Sequence, residues 1–246
     1  MANRGSSGMA RLFNAIRSKG VRGTARAIAD RIEEAALELY WEWKLGISTS
    51  GRIPSEALGY QDDAHSFYAP TAYGNILRML RALDIRPGGR EVLVDFGCGK
   101  GRVLAMAARF PFARLVGVER SAELAAVTRR NLDRARRHGT PVPVDVVTAD
   151  AASYAVPDET TIVYFASPFS GHVLDAVLEN VRASLAHAPR RLRIISHGYD
   201  ADNPFERQIR RHDWLTLRAE VPLLRSNCAW IYGNSRWSAP RDGAAT

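Results

Sequence analysis

The stretch "VDFGCGKGR", Val94 to Arg102, sets Gly97, Gly99 and Gly101 at alternate positions behind an apolar run that carries Asp95 near its end. A backbone so bare of side chains lets a ligand approach closely. The preceding "EVLVDFG" reads as a buried strand, and from it the chain alternates. A helix through "VLAMAARF", a strand "ARLVGVE" and a helix "SAELAAVTRRNLDRARRHG" come first. Then come "VDVVTAD", "TTIVYFASP", a helix across "VLDAVLENVRASL", and "RLRIISH". Apolar strands separated by amphipathic helices imply parallel strands covered on both faces, because a parallel crossover needs a helix to return the chain. Near the end, "WLTLRAEVP" and "NCAWIYGNS" are joined by the short "LLRS" with no helix between them, so one of this pair runs against the sheet. The expected fold class is α/β: a doubly wound, mostly parallel seven-stranded sheet with one antiparallel strand near the C-terminus.

Upstream of the sheet the pattern changes. From Thr24 onward Ile28, Ile32, Ala36, Leu39 and Trp43 recur at steps of four and three, the spacing of one helical stripe. This N-terminal arm is expected to cover the protein's own core or a partner subunit, and it is a candidate for dimerisation. Arg22, Arg26 and Arg31 make a membrane surface the alternative. "GISTSGRIP", Gly46 to Pro54, breaks the helix, which gives an arm and linker over 1–54 and a main domain over 55–246. A second helix is expected from Thr71, as its N-cap, to about Leu83. Met1 to Gly8 and the tail after Trp237 read as loose ends.

Composition excludes several classes. In 246 residues the two cysteines, Cys98 and Cys228, form neither a disulfide framework nor a CxxC pair, so no metal site is expected. No stretch approaches the roughly 20 apolar residues of a spanning helix, and no secretory signal pattern opens the chain. Integral membrane association is therefore not expected, and the expected location is cytoplasmic. The formal charge of +8 suits an anionic partner without naming one. The basic run Arg129, Arg130, Arg134, Arg136 and Arg137 reads first as a solvated helix surface, and no nucleic-acid module accompanies it; nucleic acid is allowed as a partner but not favoured.

The glycine turn admits three ligand classes. A phosphate-binding GxxxxGK[ST] loop fails on the letters around Lys100, and the dinucleotide fingerprint GxGxxG lacks its last glycine, since Arg102 stands there. Asp95 adds a physical test: a pyrophosphate would meet a like charge, whereas a cationic ligand would be attracted. S-adenosylmethionine, with its sulfonium and ammonium, is such a ligand. "VDFGCGKGR" resembles the first motif of the class I, Rossmann-like S-adenosylmethionine-dependent methyltransferases, and the likeness extends over roughly Tyr68 to Ser235. That resemblance implies a cofactor site. Asp95, Phe96, Gly97, Cys98, Gly99 and Gly101 would form the first motif. Glu119, at the end of "VGVE", would take the ribose hydroxyls, Asp150 with Ala151 in "VTADA" would take the adenine, and Phe165 would lie in the fourth motif. Each acid also has a simpler reading as a cap, a strand terminus or a turn former. Three acids ending consecutive strands are less easily explained that way.

"FYAPT", Phe67 to Thr71, resembles the entry segment of a bacterial methyltransferase subgroup and, more distantly, of the non-SET histone-lysine methyltransferases. By that resemblance Tyr68 and Thr71 would contact the methionine end of the cofactor. "SPF", Ser167 to Phe169, resembles the [DNS]PP[FY] signature of enzymes that methylate planar amines, with the second proline missing. Ser167, Phe169, Tyr164 and His197 are the candidate acceptor-side residues. The expected activity is methyl transfer to a protein lysine or a small metabolite. An NAD(P)-dependent oxidoreductase and a non-catalytic cofactor-binding protein remain the alternatives.

Overall fold

The computed structural model describes residues 8–60, 67–139 and 142–236. The ends named above as loose, from Met1 to Ser7 and from Trp237 onward, lie outside the described residues. Helix α1 (Gly8–Leu45) leads into a linker, and α2 (Tyr73–Ala82) precedes the sheet. There follow β1 (Val92–Phe96), α3 (Arg102–Ala107), β2 (Arg114–Glu119), α4 (Ala122–Arg136), β3 (Val144–Thr148), β4 (Ile162–Phe165), α5 (Gly171–His187), β5 (Arg193–Gly198), α6 (Pro204–Ile209), β6 (Leu215–Pro222) and β7 (Cys228–Asn234). The seven strands lie in the order β3-β2-β1-β4-β5-β7-β6.

The strands from β1 to β5 pair in parallel, while β7 pairs antiparallel with both β5 and β6. The short link after β6, a single 3-10 turn at Leu224–Ser226, leaves no room for a crossover helix and so reverses β7. The expected topology is the observed one. β1 is central and buried along its length, with Asp95 in register with Gly117 of β2 and with Tyr164 of β4. Alternate strand residues feed two cores. Leu93 and Ile195 face Leu104, Met106 and α2, whereas Val94, Phe96 and Ile194 face Val177, Leu178 and the aromatic cluster around Phe165.

Three local readings are corrected. Ala72, not Thr71, caps α2, because the Thr71 hydroxyl is turned toward the Tyr164 hydroxyl, 3.2 Å away. Helix α6 was not expected; its signal was Asn203 followed by proline, and the Asn203 side chain accepts from the Glu206 amide at 2.9 Å. The third correction concerns α1. Ile28, Ile32, Leu39 and Trp43 do not cover the core but face solvent, Trp43 at 80% exposure. Leu37, Trp41 and Leu45 pack inward instead. α1 is apolar on two opposite sides, and the inward side is the one whose acids meet arginines of the body. Leu37 lies close over Gly74 of α2, where a Cβ would come within 3.3 Å of it.

The basic run lies exposed along α4 and the turn after it, with Arg129 donating to the Val146 carbonyl at 2.8 Å. One sheet glycine has a packing role. A Cβ on Gly117 would meet Leu104 at 2.5 Å and the Cys98 sulfur at 2.8 Å. Gly117→Ala is expected to lower unfolding stability by about 1–3 kcal/mol through overpacking, seen as a lower urea midpoint at unchanged m-value; an unaltered midpoint would show that this packing relaxes freely.

Candidate functional site

Between the C-terminal ends of β1, β2 and β4 lies a cleft. It sits where strand order reverses between β1 and β4, the place where open α/β sheets take ligands. Its wall contains Asp95, Gly97, Cys98, Gly99, Glu119, Ala151, Tyr68, Thr71, Tyr164, Ser167 and Phe169. Phe96, Gly101, Asp150, Phe165 and His197 do not belong to that wall among the described residues.

The glycine turn has a use that spacing alone did not reveal. Gly97, Gly99 and Gly101 all adopt positive φ, at 74°, 58° and 81°. The space that Cβ atoms would take is filled by the chain's own side chains: Pro168 over Gly97 at 2.4 Å, the Tyr68 ring over Gly99 at 2.4 Å, and Thr128 over Gly101 at 2.7 Å. Thr128 also donates to the Gly99 carbonyl at 2.5 Å. The bare backbone therefore lets the segment after β4 and the strap before α2 close on the turn, which shapes the cleft.

Two carboxylates are buried beside that turn. Asp95 is 2% exposed, and its Oδ2 has no hydrogen-bond partner among the described residues. Burial, with the neighbouring charge of Glu119, pushes its pKa up to about 8. Glu119 is held by its surroundings: Oε2 accepts from the Gly99 amide at 2.9 Å, and Oε1 accepts from the Ser121 amide at 2.9 Å and the Tyr60 hydroxyl at 3.2 Å. Burial raises its pKa too, and these bonds act the other way. Asp150, by contrast, caps the turn after β3, accepting from the Ala152 amide at 2.9 Å, and lies 3.8 Å from Arg120.

Arg102 was passed over in the sequence as an absent glycine, yet it organises the site. Only 5% exposed, it donates to the Thr49 hydroxyl at 2.6 Å, the Thr71 carbonyl at 3.2 Å, Glu38 at 2.9 Å and Glu42 at 3.2 Å, and it stacks over Tyr73 at 4.3 Å. Burial acts to raise the Glu38 pKa, but the bonds from Ser50 and Arg102 and the arginine charge outweigh it and hold that carboxyl below its usual value. The Tyr68 hydroxyl donates to the Thr49 carbonyl at 2.5 Å, and Lys100 donates to the Ser50 carbonyl at 2.7 Å. The strap over the cleft is thus fastened from α1 and the linker. The signal for this was an arginine at the first position of a helix; its charged and hydroxyl partners, Glu38, Glu42, Thr49 and Ser50, lie 52 to 64 residues away, so nothing local ranked it.

On the far wall, Ser167 holds φ at 51°, a left-handed conformation that non-glycine residues seldom adopt, and donates to the His197 carbonyl at 3.3 Å. Phe169 packs edge-on against Phe96 and Phe165 in the core. His197 is half-buried; its Nε2 is out of solvent with no partner among the described residues, and burial lowers its pKa to about 4.

The strand order with β7 reversed, together with an acid-flanked glycine turn at the switch point, defines a class I, Rossmann-like methyltransferase fold. Residues 93–189 match a family model described as a methyltransferase domain, the domain class whose cofactor is S-adenosylmethionine. Over 79 residues the chain is 35% identical to a trans-aconitate 2-methyltransferase of Azoarcus sp. strain BH72, an alignment covering 29% of this chain and 31% of that protein. The chain thus spans under a third of the curated relative it matches. Among solved structures it resembles the pyocyanin biosynthetic protein PhzM, with TM-score 0.52 and 18% identity over 66% of this chain and 55% of that one. It also resembles the StiE O-MT segment 961–1257, with TM-score 0.51 and 18% identity over 68% and 75%. Both likenesses concern the fold alone.

Asp95 generates a pH dependence. Its folded pKa of about 8 lies above an unfolded value near 3.9, so between these the folded chain holds the extra proton and stability falls as pH rises. Urea unfolding of the wild type from pH 5 to 8 is expected to show this loss, with a slope approaching about 1.4 kcal/mol per pH unit from this group. Asp95→Asn should flatten it, and equal slopes in both proteins would refute the assignment.

Proposed function

We propose that this chain is an S-adenosylmethionine-dependent methyltransferase whose acceptor is an amine. The observation that carries the reading is the buried Asp95 oxygen, unpartnered among the described residues, beside Glu119 on the cleft wall. Arg102 directs its charge to Glu38 and Glu42, and Arg120 stacks over Tyr60 at the β2 end. The residues present fit the cofactor. An orphaned carboxylate oxygen suits an ammonium or sulfonium, and Glu119, already oriented by the Gly99 and Ser121 amides, suits a ribose diol.

When bound, S-adenosylmethionine supplies a methyl carbon activated by positive sulfur. The chain's own residues then have positioning roles. Asp95 would hold the cationic methionine end, with Tyr68 and Thr71 beside it. Glu119 would hold the ribose, and the backbone at Ala151, with Asp150, would hold the adenine. Tyr68, Tyr164 and Phe169 exclude water from the space in which an acceptor would align, and alignment of this kind accounts for roughly 7–11 kcal/mol of barrier lowering in favourable cases. Tyr164, pushed above the usual phenol range mainly by burial, stays neutral there and bonds Thr71.

The same wall guides the acceptor reading. Glu119, together with Asp95 once a bound cation draws off its proton, makes it acidic, which disfavours an anionic acceptor and favours an amine, such as a protein lysine. The "FYAPT" segment supports the lysine reading, since Tyr68 and Thr71 both reach the cleft. A small metabolite is the second reading, supported by the trans-aconitate in the name of the matched relative.

Three measurements test these statements. S-adenosylhomocysteine, and not NAD(H) or NADP(H), is expected to raise the melting temperature, and Glu119→Ala to weaken its binding by about 1.5–3 kcal/mol in calorimetry. Stabilisation by a nicotinamide cofactor instead would place the chain among oxidoreductases. A labelled-methyl survey of protein, nucleic-acid and metabolite fractions should show acid-stable N-methyl label in protein. Label confined to small carboxylates would reject the amine, and no label in any fraction would reject the enzyme.

A further inference from the structure

We infer that the outward face of α1 seats on an anionic lipid surface. The face runs from Val21 to Trp43, about 33 Å at the rise of an α-helix. It presents Val21, Ile28, Ile32, Leu39 and Trp43 to solvent, at 71%, 45%, 65%, 74% and 80% exposure. An element apolar on two opposite sides lies between two surfaces. The inner one is the core over Leu37, Trp41 and Leu45; the outer one is open.

Charge identifies the occupant. Each acid of α1 is drawn to the body: Asp30 accepts from the Arg225 amide at 3.0 Å and Glu34 pairs with Arg225 at 3.1 Å. Glu33 pairs with Arg78 at 3.2 Å, and Glu38 and Glu42 pair with Arg102. Arg22 and Arg31, which flank the open stripe at helical spacing, are exposed and form no ion pair among the described residues. A second copy packed on this face would bring like charges together with no free acid of α1 to answer them. Lipid phosphates answer them, while the apolar stripe with its tryptophan enters the headgroup boundary. No helix of the described residues is long and apolar enough to cross a membrane, so α1 would lie on the surface. Because Glu38 and Glu42 hold Arg102 on the cleft wall, the Trp43 end of the helix is the end joined to the site.

Co-sedimentation of the full chain with vesicles tests this without a methyl donor, so its result is separate from the proposed activity. Vesicles of phosphatidylcholine with about one-third phosphatidylglycerol should bind the chain, and phosphatidylcholine alone should bind it much less. Leu39→Ser with Trp43→Ser should weaken that binding about tenfold, and so should the double change of Arg22 and Arg31 to Glu. Both sets alter exposed side chains, and unchanged melting temperatures would show that the fold is kept. Binding indifferent to the serine pair, or equal on neutral vesicles, would overturn the inference. So would no vesicle binding, whether the chain is monomeric or forms a dimer that the serine pair dissolves.

Discussion

A buried guanidinium at the first turn of α3 sets the electrostatics of the whole site. Arg102 stands immediately after the glycine turn, where it could have neutralised Asp95 and Glu119. Its hydrogen bonds run the other way, to Glu38 and Glu42 of α1 and to Thr49 and Thr71. Two consequences follow from that one orientation. The helical arm and the strap are fixed to the sheet, and the guanidinium is turned away from the two carboxylates at the strand tips. An isolated buried carboxylate is costly in the absence of a partner. Here that cost is expressed as the raised pKa of Asp95.

The glycines and the acids therefore work at different levels. Gly97, Gly99 and Gly101 allow Pro168, Tyr68 and Thr128 to close over the turn, which makes a walled cleft from a sheet edge. Asp95 and Glu119 then give that cleft its sign. Glu119 has its amide and phenol donors in place, so its orientation does not wait for a ligand. Asp95 keeps one oxygen unsatisfied. This pairing, one acid oriented and one poised, is what the proposed contacts to a diol and to a positive charge rest on.

Much of this was legible in the chain. Strand and helix periods, the reversed final hairpin and the glycine turn are local patterns, and the observed sheet follows them. The cleft walls include most of the residues that the motif reading selected, Tyr68, Thr71, Asp95, Glu119, Ser167 and Phe169 among them. His197 was selected because it ends a strand, but strand position does not say which way a ring turns, and its ring lies off the cleft wall. Thr71 does not cap α2 as expected; its hydroxyl lies beside that of Tyr164 on the cleft wall.

The sequence by itself determined the alternation of elements, the bare turn and the acids at the strand tips, because each depends on residues within one or two turns of chain. Only the tertiary structure decided which side of α1 faces inward, which groups Arg102 binds and which side chains close on the glycines. Those outcomes require segments far apart to meet, Arg102 with Thr49 across 53 residues and with Glu38 across 64. With apolar residues on both sides of α1, periodicity was symmetric between the two orientations. The ion pairs across the interface, set by the positions of Arg78, Arg102 and Arg225 in the folded body, broke that symmetry.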